Sequence, residues 1–291
     1  MTEHLKFRSA DGLSLVGDVY GPADGPAALL LHGFGQTRQS WGETASKLGG
    51  QGWRAYAIDQ RGHGDSERSP NAAYDYVNYA ADVVALCEAV GGQPLLIGAS
   101  MGGVAALVAQ GTAEAQLYRG LVLVDITPDI DMDGARRILS FMSANPDGYA
   151  NLEDAAEAIS AYRGGRGKPS PRGLTRVLRQ GEDGRWRWHW DPRALDARKI
   201  WLSDPDAALA HREQMRTAMT SGVQNLVAPT MLVRGGSSDV VTIEAARALI
   251  EMLPHAQFVD VADATHMVAG DRNDVFSAAV LEFASPLITG R

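Results

Sequence analysis

The sequence predicts an α/β fold: a mostly parallel sheet covered by helices on both faces, with a long segment inserted into it. Three observations carry this. Short, uninterrupted apolar runs alternate with segments of helical period, the pattern of strands buried on both faces. The alternation stops after Asp125 and resumes at Pro229. Finally, the strand Pro94–Ile97 runs directly into Gly98-Ala99-Ser100-Met101-Gly102, a G-x-S-x-G pentapeptide that opens a helix. A turn this tight forces the serine into a strained backbone conformation and leaves room only for small residues two positions to either side. Glycine fits both. The hydroxyl is then held at the carboxyl edge of the sheet, where it can act as a nucleophile.

The elements follow in order. Residues 4–9 and 13–20 read as two strands around the turn Ala10-Asp11-Gly12. Ala27–Leu31 is a continuous apolar run suited to a buried parallel strand. Gln39–Leu48 reads as a helix ending near Gly49-Gly50, and Trp53–Ile58 as the next strand, ending at Asp59. Tyr76–Val90 has helical period and stops at Gly91-Gly92. After the pentapeptide come the helix Met101–Gln110 and the strand Leu121–Val124. The pattern resumes with Pro229–Val233 (strand), Thr242–Leu253 (helix), Gln257–Val261 (strand) and Arg272–Phe283 (helix). The simplest division is a core of residues 1–126 and 228–291 with a mainly helical cap of residues 127–227 inserted into it.

Two stretches of the insertion stand out. Arg163–Gly173 is rich in basic residues, glycine and proline and has no acidic residue, which reads as a solvated, exposed loop. Arg185-Trp186-Arg187-Trp188-His189-Trp190 alternates strictly, so its tryptophans share one face of a strand. That face packs the insertion onto the core or lines a cavity at the junction.

Composition narrows the function classes. The 291 residues carry a net charge of −8, with an isoelectric point near 5.4, so no general attraction for nucleic acid or an anionic membrane is expected. The single cysteine, Cys87, lies on an apolar helical face and reads as core. No disulfide can form within the chain, and the cytoplasm is the expected compartment. No stretch is long and uncharged enough to span a bilayer. The expected partner is a small-molecule substrate, and oligomeric state is left open.

A serine hydroxyl needs a base, and the base needs an orienting acid. His266 follows the last strand and precedes the final helix, a position from which an imidazole can lean over the sheet edge toward Ser100. Two aspartates are candidates for the acid, and both lie at the carboxyl edge of the sheet. Asp239 is the expected one, because the short loop Arg234-Gly235-Gly236-Ser237-Ser238 can deliver it near the histidine's loop. Asp125 is the alternative, otherwise read as a helix-capping or cap-anchoring carboxylate. An oxyanion calls for two donors. One is the backbone N–H of Met101 at the start of its helix. The other is the N–H of Phe34 within His32-Gly33-Phe34-Gly35, where glycines allow the sharp turn. Phe141, Met142, Trp201 and Met267 are candidate substrate-pocket residues, together with the Phe34 and Met101 side chains. The histidines lack metal-ligand spacing, and Gly33–Gly35 lacks the third glycine of a dinucleotide fingerprint. Neither metal nor cofactor is expected.

The matching segments, in order, are His32-Gly33-Phe34-Gly35, Asp59-Gln60-Arg61-Gly62-His63-Gly64-Asp65-Ser66, the pentapeptide, Gly235–Asp239 and His266. On these the chain resembles the capped serine hydrolases of the α/β-hydrolase fold, over nearly its whole length. The resemblance implies a mostly parallel eight-stranded sheet, a helical cap over the site, and a structural role for Arg61 and His63. Relatives with this Asp-x-Arg-Gly-x-Gly segment that open epoxides or remove halide carry aspartate at the turn. Ser100 here favours acyl transfer instead, and a carboxylic-ester hydrolase for a small or medium acyl group is the leading expectation. Cofactor-free haloperoxidases, which use peroxide as acyl acceptor, and carbon–carbon bond hydrolases, whose turn resembles Ser100–Gly103, are the alternatives, with lactonase and amidase chemistry also open. A non-catalytic small-molecule receptor of this fold is the remote one.

Overall fold

The computed structural model describes residues 3–165, 168–262, 264–266 and 273–288. Eight strands form one sheet: β1 (Glu3–Arg8), β2 (Ser14–Tyr20), β3 (Ala27–Leu31), β4 (Arg54–Ile58), β5 (Leu95–Ala99), β6 (Gly120–Val124), β9 (Thr230–Gly235) and β10 (Gln257–Val261). Their spatial order is β1-β2-β4-β3-β5-β6-β9-β10. β1 and β2 pair antiparallel, as do β2 and β4, and every other pairing is parallel. The eight strands fall where the apolar runs lie, within a residue or two at their ends.

Alternate residues of each central strand feed two separate cores. Leu29, Leu31 and Leu96 pack on one face, while Ala28, Leu30, Leu95 and Ile97 pack on the other. Both faces are therefore apolar, which is why these strands read as unbroken hydrophobic runs. The register is as important as the pairing. Leu31 lies opposite Ile58 on one side and Gly98 on the other, Ala99 opposite Val124, and Val124 opposite Val233. The parallel strands thus end level, and His32, Asp59, Ser100 and Asp125 emerge along one edge.

Helices cover both faces. The first is α1 (Gly42–Gly50), preceded by a 3-10 turn at Arg38–Trp41; α2 (Tyr76–Ala89) and α3 (Met101–Thr112) follow. Between β6 and β9 the chain forms α4 (Met132–Ser143), α5 (Leu152–Tyr162), the short α6 (Pro171–Leu174) and the hairpin β7 (Leu178–Gln180)–β8 (Trp186–Trp188). A 3-10 turn at Pro192–Arg198, α7 (Ile200–Ser203) and α8 (Pro205–Gln224) complete that segment; α9 (Ile243–Met252) and α10 (Asn273–Ala284) complete the fold. The inserted segment has a small core of its own, built on Tyr149, Ala155, Ala156, Ile159, Leu174 and Leu178. Its last helix, α8, lies along α3, and the two backbones touch: a Cβ on Gly222 would sit 1.9 Å from the Leu107 carbonyl oxygen, and one on Gly111 would sit 2.9 Å from Gly222 N.

The segment Asp59–Ser66 is an internal strut. Asp59, fully buried, accepts from Arg38 N at 2.6 Å and Asp65 N at 2.9 Å and is paired with the Arg38 guanidinium. Arg61, also fully buried, grips Asp82 through two bonds of 2.6 Å and reaches Asp11 at 3.0 Å. His63 lies 5.1 Å from His32, ring to ring. Burial, and then the neighbouring His32, pushes the His63 imidazole well below its ordinary 6.5, and burial lowers His32 as well.

Two predictions follow from this packing. Gly222→Ala forces α8 away from α3 and lowers stability by about 1–3 kcal/mol, the usual cost of overpacking, read as a drop in Tm. The second concerns pH. His32 and His63 stay neutral in the folded chain but protonate near pH 6.5 once unfolded. Below about pH 6.5 the unfolded state binds more protons, so stability falls as pH falls. Tm should decline from about pH 7.5 to about pH 5.5, and less steeply in His63→Gln; a pH-independent Tm contradicts neutral burial.

Candidate functional site

The site is built around the β5–α3 turn. Ser100 has φ 44° and ψ −109°, a region that costs a non-glycine residue on the order of 1–3 kcal/mol. The turn closes so tightly that a Cβ on Gly98 would lie 2.7 Å from Gly103 N, and one on Gly102 would lie 2.5 Å from the Leu31 carbonyl. The flanking glycines are therefore required by contacts within the turn and with β3. Ser100 N–H donates to the Val124 carbonyl (3.0 Å) and its own carbonyl accepts from Val104 N (2.9 Å), so both backbone groups are fixed. The N-caps of α2, α4, α5, α8 and α9 each use their side chain to accept a backbone N–H. Ser100, the N-cap of α3, makes no such bond, which leaves its hydroxyl available to the cavity.

His266 Nδ1 lies 2.6 Å from Asp125 Oδ2. With Nδ1 carrying its proton toward that carboxylate, Nε2 is the ring nitrogen left to accept one. Asp125 has no exposed surface and φ 49°. Its Oδ1 accepts from Gly235 N (2.9 Å), and its Oδ2 from Ser238 Oγ (2.5 Å) as well as from His266. Its own N–H donates to the Val233 carbonyl at 2.7 Å. This geometry corrects the expected acid. Asp239 is paired with the guanidinium of Arg137 on α4, while Asp125 holds the histidine. The reason lies in the loop path after β9. Ser237 N binds the Ala264 carbonyl and Ser238 N the Gly235 carbonyl, both at 2.8 Å. That turn aims Ser238 inward at Asp125 and carries Asp239 on toward the inserted helices.

The His32–Gly35 turn lies beside Ser100. Gly33 N donates to Gln36 Oε1 (2.9 Å), Gln36 N donates to the Gly33 carbonyl (3.2 Å), and Gly35 N lies 3.5 Å from His63 Nε2. Phe34 N falls between these bonds. A Cβ on Gly33 would be 3.4 Å from Ser100 Cβ, so a side chain there would press on the serine. Met101 N is the first amide of α3, where no intrahelical acceptor exists.

Ser100, His266, Phe34 and Ile138 line two cavities and stand at their junction, one of about 770 Å³ and one of about 160 Å³. The larger is walled by Phe141, Met142, Ile159, Tyr162, Val177 and Trp188. Phe141 stacks on Tyr162 with ring centroids 4.3 Å apart and meets Trp188 edge-on at 5.9 Å. Met142 packs so close to the turn that a Cβ on Gly35 would be 2.2 Å from its methyl group. Of the tryptophan face, Trp188 lines this cavity. Trp190 is buried and packs on Phe34 at 4.9 Å, and Trp186 pairs with Tyr149. The basic stretch also takes part, through Arg163, Pro169 and Gly173. Met267 and the Trp201 side chain lie outside the described residues.

Ser238, which donates to Asp125, and Arg198, which lines the smaller cavity, are not singled out by sequence reasoning. Ser238 had a usable signal, its place in the glycine-containing loop already singled out. Arg198, at the end of an irregular 3-10 turn, had none. Among the described residues, no group of three or more His, Cys, Asp or Glu is arranged to hold a metal ion, and no helix is long and apolar enough to cross a membrane.

Comparison with known proteins agrees with this architecture. The chain is 25% identical over 283 residues to 2-(acetamidomethylene)succinate hydrolase of Mesorhizobium japonicum, covering 97% of this chain and 96% of that protein. It is 28% identical over 259 residues to an esterase of Mycobacterium tuberculosis, covering 85% and 78%. The crystal structure of E-2-(acetamidomethylene)succinate hydrolase superposes with a TM-score of 0.77 at 22% identity, over 97% of this chain and 99% of that one, which shows a shared fold. The family described as "Alpha/beta hydrolase family" matches residues 28–279, a span running from β3 into α10 that contains the serine turn, Asp125 and His266. The chain therefore belongs to the alpha/beta hydrolase family.

Proposed function

We propose that the protein is a carboxylic-ester hydrolase working through an acyl-serine intermediate. The observation that carries this reading is the 2.6 Å bond between His266 Nδ1 and the buried Asp125 carboxylate, beside a strained serine whose hydroxyl is not spent on capping its helix. In the proposed reaction Ser100 Oγ attacks the ester carbonyl as His266 Nε2 takes its proton. Asp125 keeps the ring in the correct tautomer and offsets the imidazolium charge. The Phe34 and Met101 amides receive the oxyanion, each such donor contributing about 3–4 kcal/mol to the transition state. His266 then protonates the departing alkoxide, and water, activated by the same imidazole, releases the acid from Ser100. The relatives named as hydrolase and esterase support the reaction class.

Under this reading the substrate enters the larger cavity, whose walls come from the inserted helices and hairpin. We place the cap over the site, with Phe141, Met142, Tyr162 and Trp188 forming an aromatic and thioether surface against the substrate.

Ser100→Ala should keep its Tm and lose nearly all turnover of p-nitrophenyl esters; turnover within a few-fold of the parent removes the serine mechanism. The two aspartates separate cleanly. Asp125→Asn should lower kcat by about 10⁴, because the ring loses its tautomer. Asp239→Asn, which breaks only a half-exposed pair with Arg137, should cost less than about tenfold. The opposite ranking in steady-state kinetics restores Asp239 as the acid.

A further inference from the structure

The smaller cavity measures about 160 Å³. Ser100, Met101, Phe34 and His266 line it, and Val104, Ile130, Leu139, Met215 and Val240 give it apolar walls. Among the described residues that line it, Arg198 is the one arginine or lysine, beside His211 and His266. This arginine differs from four of the other buried or half-buried ones. Arg38, Arg61, Arg212 and Arg234 each pair with a carboxylate. Among the described residues Arg198 is within ion-pair distance of none. Its Nη1 donates to the Ala194 carbonyl (2.7 Å), and its Nη2 lies 3.5 Å from Met101 Sδ. The guanidinium carbon sits 4.5 Å from the centre of the Phe34 ring and 6.0 Å from that of Tyr79.

Aromatic faces hold a guanidinium in place without discharging it. The carboxylate of Asp75, also in the wall, is taken up by capping α2: it accepts from Val77 N, Asn78 N and Asn78 Nδ2. The result is a pre-positioned positive charge in a mostly apolar recess, resting against the two residues that flank the serine. An acidic group that displaces water there meets a planar donor that is already ordered.

We propose that Arg198 binds a carboxylate at the far end of the substrate's acyl group, so that the enzyme prefers short acyl chains carrying a terminal acid. The neutral leaving group then occupies the larger cavity. This inference rests on the ester-hydrolase reading for its acyl-group assignment, and the test separates the two.

The test compares kcat/KM for p-nitrophenyl hydrogen glutarate with that for the neutral p-nitrophenyl 5-oxohexanoate, which replaces the carboxylate by a methyl ketone. The parent protein should favour the charged ester by about tenfold or more, as expected of a hydrogen bond to a charged group. That ratio should fall to near one in Arg198→Gln and recover in part in Arg198→Lys. A parent ratio at or below one, read without any variant, overturns the proposal, as does a ratio unchanged in Arg198→Gln. Glutarate binding by titration calorimetry supplies the second arm. If neither ester is turned over, the hydrolase reading fails. Glutarate binding that is lost in Arg198→Gln then still supports the anion site, and binding that is absent or unaffected overturns it.

Discussion

Asp125 is a negative charge with no exposed surface, and the edge of the sheet is arranged around satisfying it. An uncompensated carboxylate at that depth costs several kcal/mol. Its donors come from separate stretches of chain: the Gly235 amide at the end of β9, the Ser238 hydroxyl in the following turn and the His266 ring beyond β10. Each is brought within reach by the level ending of the parallel strands. The site is therefore built into the sheet edge itself. The serine turn sits next to this centre because β5 is hydrogen-bonded to β6 along its whole length, with Ala99 opposite Val124.

The inserted segment is tied to the same edge through the buried strut. Gly64 N donates to the His189 carbonyl (2.8 Å) and Asp191 N to the Gly62 carbonyl (2.7 Å). Asp191 accepts from Tyr74 Oη at 2.6 Å and caps the 3-10 turn that ends at Arg198. Arg193, in the same turn, reaches back to the Ser69 carbonyl. The strut formed by Asp59, Arg61 and His63 thus has two outcomes. It supports the His32–Gly35 turn from below, and it presents the backbone groups that dock the insertion. Arg198 is carried over Phe34 and Met101 by that docking.

The strands were legible because residues buried on both faces have to be apolar without interruption. The serine turn was legible because its steric demands admit glycine at 98 and 102, and the contacts those glycines make bear this out. The choice of acid was not legible. Asp125 and Asp239 both follow strands at the carboxyl edge, and what separates them is the course of a short turn, set by the bond from Ser237 to the distant Ala264 carbonyl and the local bond from Ser238 to the Gly235 carbonyl. The position of α8 was hidden for a similar reason. Its periodicity is weak, and its alignment on α3 depends on two glycines, 111 and 222, whose meaning appears only when the helices are seen to touch. The alternating tryptophans promised a shared face, but beyond β8 the chain turns into the strut, and Trp190 ends up in the core while Trp188 lines the cavity.

In the proposed mechanism Ser100 is an activated nucleophile because His266 is held by Asp125. Its most direct measurement is the rate and position of labelling by a fluorophosphonate probe, followed by intact-protein mass and peptide mapping. A single adduct on Ser100 is expected, formed far more slowly in Asp125→Asn and in His266→Ala. An adduct on another residue, or labelling of Ser100 at the same rate when Asp125 has been replaced, would contradict it.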